Sequence, residues 1–154
     1  MIRKKNKFSW PRKLYDKARI SEENKLVEEY GLKNKREIWK AEAKIKYYRN
    51  RAKFLINSSG EDQNRFFEKL KAMGLLVNNI ADVLALNKED LLKRRLSTVV
   101  WKKGLANTAK QARQFIVHKK IFVGENAVNT PSYIVSVDSE NNITLRNKNS
   151  EAKK

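Results

Sequence analysis

The chain of 154 residues has no cysteine. Disulfides and thiolate metal sites are therefore excluded. It has one histidine, His118, so no His/Cys set exists to arrange a nucleophile. Placed at a helix end, His118 reads as a partner for the C-terminal dipole. No glycine-rich phosphate loop or dinucleotide fingerprint occurs. Asp16, Asp62, Asp82, Asp90 and Asp138 stand in no active-site context, so the chain is not expected to be an enzyme or to hold a cofactor or metal. No run of about 18 apolar residues exists to span a membrane. Met1 to Trp10 is basic without an apolar stretch, which excludes a secretory signal there. The most telling absence is local. Between Leu91 and Lys120 there is no acidic residue, although the chain has 17.

That same stretch carries nine basic residues: Lys93, Arg94, Arg95, Lys102, Lys103, Lys110, Arg113, Lys119 and Lys120. The net charge of +18 is concentrated rather than spread. Residues 1–60 hold 18 basic and seven acidic side chains; residues 61–90 are slightly acidic; residues 121–154 are neutral. Two basic blocks imply two surfaces for a polyanion, or one surface built from both. Such a charge also repels itself, so the fold should gain stability beside its partner.

Helical periodicity dominates the first three quarters. Ser21 caps a short helix with Glu22 and Glu23 in its first turn, and Gly31 ends it. Asn34, with Glu37 in a box-like arrangement, starts a helix to about Ile56, with Ile38, Ala41, Ile45, Tyr48, Ala52 and Leu55 inward. Trp39, Tyr47, Tyr48, Phe66 and Phe67 read as core. A helix over 61–73 ends at Gly74. Asn87 caps a continuous helix to about Lys103, with Leu92, Leu96, Val99 and Val100 buried and Arg94, Arg95, Thr98 and Lys102 outside that stripe. After Gly104, the T-x-x-Q box of Thr108 and Gln111 opens a helix to His118. The period then changes: Ile121, Val123 and Val128 read as strands around a Gly124-Glu125 turn, Tyr133 to Val137 alternates, and Asn141-Asn142 turns into Ile143 to Leu145. The fold class is α+β, a helical N-terminal domain followed by a small helix–helix–β-hairpin domain. The boundaries are a basic arm over 1–20, a helical domain over 21–87, the second domain over 88–146 and a polar tail over 147–154.

The run Arg94-Arg95-Leu96, Gly104-Leu105-Ala106, Thr108, Ala112-Arg113, Ile116, Ile121, Val123 and Pro131-Ser132-Tyr133 resembles the S-four RNA-binding domain. Tyr30-Gly31-Leu32-Lys33-Asn34-Lys35-Arg36-Glu37 is similar to the archaeal and eukaryotic form of the ribosomal S-four family, called S-nine in eukaryotes. Leu84-Ala85-Leu86, Val128-Asn129 and Val137-Asp138-Ser139-Glu140 agree in order. The similarity covers about residues 10–145. Val123-Gly124 and Asp138-Ser139-Glu140 look eukaryotic, and the short stretch after Arg146 suggests a reduced form. Lys119 departs from the pattern, standing where many members of the domain family have glycine. The zinc knot of some bacterial relatives cannot be carried over to a chain without cysteine.

The resemblance implies a structural constituent of the small ribosomal subunit, bound to the 5′ domain of its RNA early in assembly. It implies neighbouring small-subunit ribosomal proteins as partners, a place near the messenger entry path, and a cytoplasmic ribosome assembled through the nucleolus if eukaryotic. The alternative is the small-subunit processome paralogue, which binds precursor RNA in the nucleolus. An RNA-modifying enzyme and a DNA-binding protein are the further competitors.

The residues expected on RNA are Arg94, Arg95, Lys102, Lys103, Thr108, Lys110, Gln111, Arg113, Gln114, Lys119 and Lys120, with Lys33, Lys35, Arg36, Lys44, Arg49, Arg51 and Lys53 gripping adjacent RNA. Arg94, Arg95 and Arg113 can clasp phosphate in a bidentate manner that lysine cannot. Thr108 stands at a helix start, where free N–H groups favour a phosphate. Gln111 and Gln114 can reach sugars and base edges. RNA would be read mainly by shape.

Overall fold

The computed structural model describes residues 7–146; the outermost arm (1–6) and the tail expected over 147–154 lie outside them. Helix α1 spans Lys17–Glu29 and α2 spans Arg36–Leu55. They are followed by α3 at Gly60–Ala72, α4 at Ile80–Ala85 and α5 at Lys88–Lys93. Then come α6 at Leu96–Lys102 and α7 at Ala109–Val117. Strand β1 is Ile121–Val123, β2 is Asn126–Ala127, α8 is Val137–Glu140 and β3 is Ile143–Leu145. The strands form one antiparallel sheet in the order β2-β1-β3. The α+β class is as the sequence reads.

Two apolar clusters hold the molecule. The first gathers residues from Leu26 to Leu92 around α2, whose inward stripe Ile38, Ala41, Ile45, Tyr48, Ala52 and Leu55 is buried throughout. The second packs Leu96, Val99 and Val100 of α6 against Ala112 and Ile116 of α7, Ile121 of β1, Val135 and Ile143. The division falls at Arg94 and Arg95.

Several elements depart from the sequence reading. Helix α1 starts before Ser21, because the Asp16 carboxylate accepts from the N–H groups of Ala18 and Arg19 at 3.2 and 3.5 Å. Helix α2 has no capping box at Asn34, because the Glu37 side chain is turned to arginines of the other cluster. The expected helix from Asn87 to Lys103 is broken. Arg94 ends α5, and Arg95 is extended at φ −72°, ψ 143°. There the backbone pairs with the 133–135 segment: Leu96 N–H donates to the Tyr133 carbonyl (2.8 Å) and Val135 N–H to the Arg94 carbonyl (3.0 Å). A strand-like partner distant in sequence replaces two helical bonds, which local periodicity cannot register. The break also changes the helix phase, so Thr98 and Arg95, expected outside the stripe, are buried. The alternating 133–137 run forms only this bridge before α8 begins. Tyr47, expected in the core, is 64% exposed.

Gly31 is required twice over. Its φ is +58°, and a Cβ there would lie 2.8 Å from the Ala109 carbonyl carbon. The end of α1 thus sits directly against the start of α7.

Candidate nucleic-acid interface

A groove of about 440 Å³ runs between α2 and the α5–α7 region. Lys33, Arg36, Lys40 and Lys44 line one side; Arg95 and Arg113 line the other, with Pro131, Ser132 and Ile134 completing the wall. Both basic blocks therefore meet in one surface. Glu37 is the single acid in its lining.

Glu37 stands in the first turn of α2, where its charge also suits the helix dipole. It receives Arg95 Nη2 on Oε2 at 2.5 Å, and Arg113 in fork fashion, Nη2 on Oε1 at 2.9 Å and Nη1 on Oε2 at 3.1 Å. Burial pushes this carboxyl up, but the hydrogen bonds and charges of the two arginines outweigh it and hold it below the ordinary carboxylate range. Arg95 is only 5% exposed, and its Nε finds no partner. Glu37 therefore neutralises two cations, Arg95 buried and Arg113 half-buried, that would otherwise lack a counter-charge.

The structure gives Arg94 protein partners as well. Its Nη1 donates to Glu140 Oε2 (2.8 Å), its Nε to the Met73 carbonyl (3.1 Å) and its Nη2 to the Val135 carbonyl (3.0 Å). All three arginines expected to clasp phosphate thus face protein acceptors. The sequence shows the guanidinium groups but not where Glu37 and Glu140 fold to.

The lysines differ. Lys102, Lys110, Lys119 and Lys120 are exposed along α6, α7 and the following turn, as is Gln114. Lys120 lies 5.5 Å from the Phe115 ring centroid, and Lys103 donates to the Glu140 carbonyl. Thr108 caps α7 by accepting from Gln111 N–H at 3.1 Å. The reciprocal bond of the expected box goes one residue further back: Gln111 Oε1 accepts from Asn107 N–H at 2.8 Å. Lys119 has φ +56°, the one non-glycine residue with positive φ among the described residues. A glycine belongs at that turn for this steric reason.

In the first block, Lys33, Arg36 and Lys44 reach the groove together with Lys40, which the sequence reading did not single out as a contact. Burial, and then the charge of Lys69, pushes the Lys44 ammonium below its ordinary value. A desolvated cation of this kind favours an anion beside it. Lys35, Arg49 and Lys53 do not line the groove. Lys35 turns to Glu23 at 3.5 Å, and Arg49 donates to the Leu86 carbonyl at 2.5 Å. Glu23, itself buried, also receives Arg19 at 2.7 Å and the Trp39 indole at 2.9 Å. Burial raises its carboxyl, but these partners bring it below the usual range. Trp10 packs against Trp39 with centroids 5.3 Å apart and ring planes inclined at 55°, and Arg36 lies over Trp10 at 5.4 Å. Among the described residues no cluster of His, Cys, Asp or Glu could hold a metal, and no helix is long and apolar enough to cross a membrane.

Comparison with known proteins supplies a family model and named relatives. The S4 domain family matches residues 94–141, beginning where the core divides. Small ribosomal subunit protein uS4 of Nanoarchaeum equitans is 44% identical over 151 residues, covering 93% of this chain and 84% of that protein. The uS4 protein of Saccharolobus islandicus is 44% identical over 147 residues, covering 90% and 81%. That of Methanosphaera stadtmanae is 40% identical over 156 residues, covering 93% and 86%.

Proposed function

Because the chain belongs to the small ribosomal subunit protein uS4 family, we propose that its groove and the α6–α7 surface grip folded ribosomal RNA. The chain is a non-enzymatic structural constituent of the small ribosomal subunit. The observation that supports the RNA reading is the convergence of Lys33, Arg36, Lys40 and Lys44 with Arg95 and Arg113 in one groove. Each lysine or arginine that meets a phosphate releases condensed counterions, so affinity should fall steeply with salt. In this reading the exposed lysines carry most of that electrostatic work. Arg95 and Arg113, held by Glu37, shape the groove and present only part of their donors outward.

The finer placement follows the family resemblance. The target is the 5′ domain of small-subunit RNA, bound early in assembly, near the messenger entry path and beside other small-subunit proteins. If the source is eukaryotic, assembly passes through the nucleolus. The relatives named above are archaeal and carry the ribosomal name. Two measurements test the reading. Purified chain should bind a transcript of the 5′ domain with a steep negative dependence on KCl. Tagged chain should co-sediment with mature small subunits. Restriction to precursor particles would favour the processome paralogue, and salt-independent binding would sink the RNA interface.

A further inference from the structure

The outward face of α2 continues past the groove. Residues at positions 40, 44, 47, 51 and 54 follow the i, i+4, i+7 spacing that puts them on one stripe of a helix. They are Lys40, Lys44, Tyr47, Arg51 and Phe54. Lys40 and Lys44 line the groove. Tyr47 is 64% and Phe54 71% exposed, although the helix buries six other side chains on a separate stripe. The Arg51 guanidinium lies 5.7 Å from the Phe54 ring centroid. The stripe holds three cations, two exposed rings and no acid.

From this geometry we infer that the α2 stripe is a stacking platform for unpaired bases of the same RNA, with Tyr47 and Phe54 as the two rings. The inference rests on the RNA reading above and adds residues and a mode of recognition to it. Phosphate contact needs only cations; it gives no reason to hold a phenylalanine in water. An exposed ring flanked by cations meets both needs of single-stranded RNA, a flat π-face for the base and a charge for the backbone. Seven residues of helix separate the rings, about 10 Å of rise. Each ring therefore receives its own base. Arg51 covers Phe54 from one side, which leaves the guanidinium and the ring to act together on a base or its phosphate. A strand leaving the groove at Lys40 and Lys44 passes directly onto this stripe. A protein neighbour is the competing occupant, but three cations without an acid match a polyanion better than a mixed protein surface.

The test uses the full chain and the 5′-domain transcript. The double variant Tyr47→Ala/Phe54→Ala should bind about thirtyfold to ten-thousandfold more weakly, from the usual loss per stacked base taken twice. Its salt slope should be unchanged, since no charge is removed. Tyr47→Phe should keep its affinity. Ultraviolet cross-linking of the unaltered chain to the transcript should place adducts at Tyr47 or Phe54, a readout that needs no variant. Parent-like affinity of a folded double variant, or cross-links that avoid both rings, overturns the stacking platform while the RNA reading stands. An unaltered chain that binds the transcript equally in dilute and concentrated KCl overturns both.

Discussion

The Glu37 carboxylate accepts both terminal nitrogens of Arg113, 76 positions further along the chain, at 2.9 and 3.1 Å. With Arg95 on the same carboxylate, this joins the helix that dominates the first apolar cluster to the two helices that build the second. Removing the acid leaves two cations facing each other without a counter-charge, one of them almost wholly buried. Glu37→Ala should cost about 3 kcal/mol of stability, the lower end for losing one partner of a buried ion pair, because the Glu37 side chain keeps 15% of its exposure. Urea unfolding at neutral pH measures this. A loss within about 0.5 kcal/mol would show that water replaces the carboxylate freely.

The same group sets a pH dependence. Its folded-state carboxyl lies below the ordinary range, whereas in the unfolded chain it titrates near pH 4.3, roughly the model-peptide value. Its contribution is therefore complete above that unfolded value and is lost as pH falls through the lower, folded one. The stability gap between the parent and Glu37→Gln should be constant from pH 7 down to about 5 and narrow below about pH 4. A gap that widens on acidification would mean the pairing is misassigned. Comparing parent with variant cancels Glu23, which shifts in the same direction.

Gly31→Ala tests the docking of α1 against α7. The positive φ strains any side chain there, and the added carbon meets the Ala109 backbone rather than a movable side chain. The expected loss is about 1–3 kcal/mol. Gly104→Ala serves as the comparison: it shares the positive φ at +73° but has open space around the added carbon. Equal losses at both positions would mean that the close approach contributes nothing.

Lys119→Gly should act in opposite directions on two observables. Relieving the +56° backbone of a residue with a side chain should stabilise the fold by about 1 kcal/mol. Removing an exposed cation beside Lys120 should weaken RNA binding and flatten its salt dependence. Thermal melts and filter binding on one preparation separate the two effects.

Lys110→Gln addresses the lysine surface alone. The side chain is exposed on α7, so the melting temperature should not move. The slope of log affinity against log salt should fall by about 0.9 if the contacted RNA is duplex, or about 0.7 if single-stranded. Arg94→Gln should show the reverse pattern, with a large stability loss from its three protein acceptors and a small change in slope. A steeper effect of Arg94 than of Lys110 on the slope would return the phosphate role to the arginine.

Much of this was legible in the residues. The burial stripe of α2, the glycine stops at Gly31, Gly74 and Gly104, the Thr108 cap and the change of period after Lys120 follow from local rules that act over a few positions. The acid-free stretch pointed to a polyanion, and the quoted motifs pointed to the family. The reading failed where a distant partner overruled a local preference. The helix at Arg94–Arg95 opened because the 133–135 backbone bonded to it. Glu37 left its own cap for two arginines. Tyr47 is a miss of another kind: the local period of α2 had already assigned the inward positions to other residues, so its exposure needed no distant partner.

The sequence by itself determined the basic blocks, the helical and strand periods and the family, since each depends on residue type and short spacing. Only the tertiary structure decided which cations are free to meet a ligand. A guanidinium looks the same in any sequence. Whether it faces solvent or an acid 58 or 76 positions away is set by packing, because Coulomb and hydrogen-bond energies depend on distance in space and not along the chain.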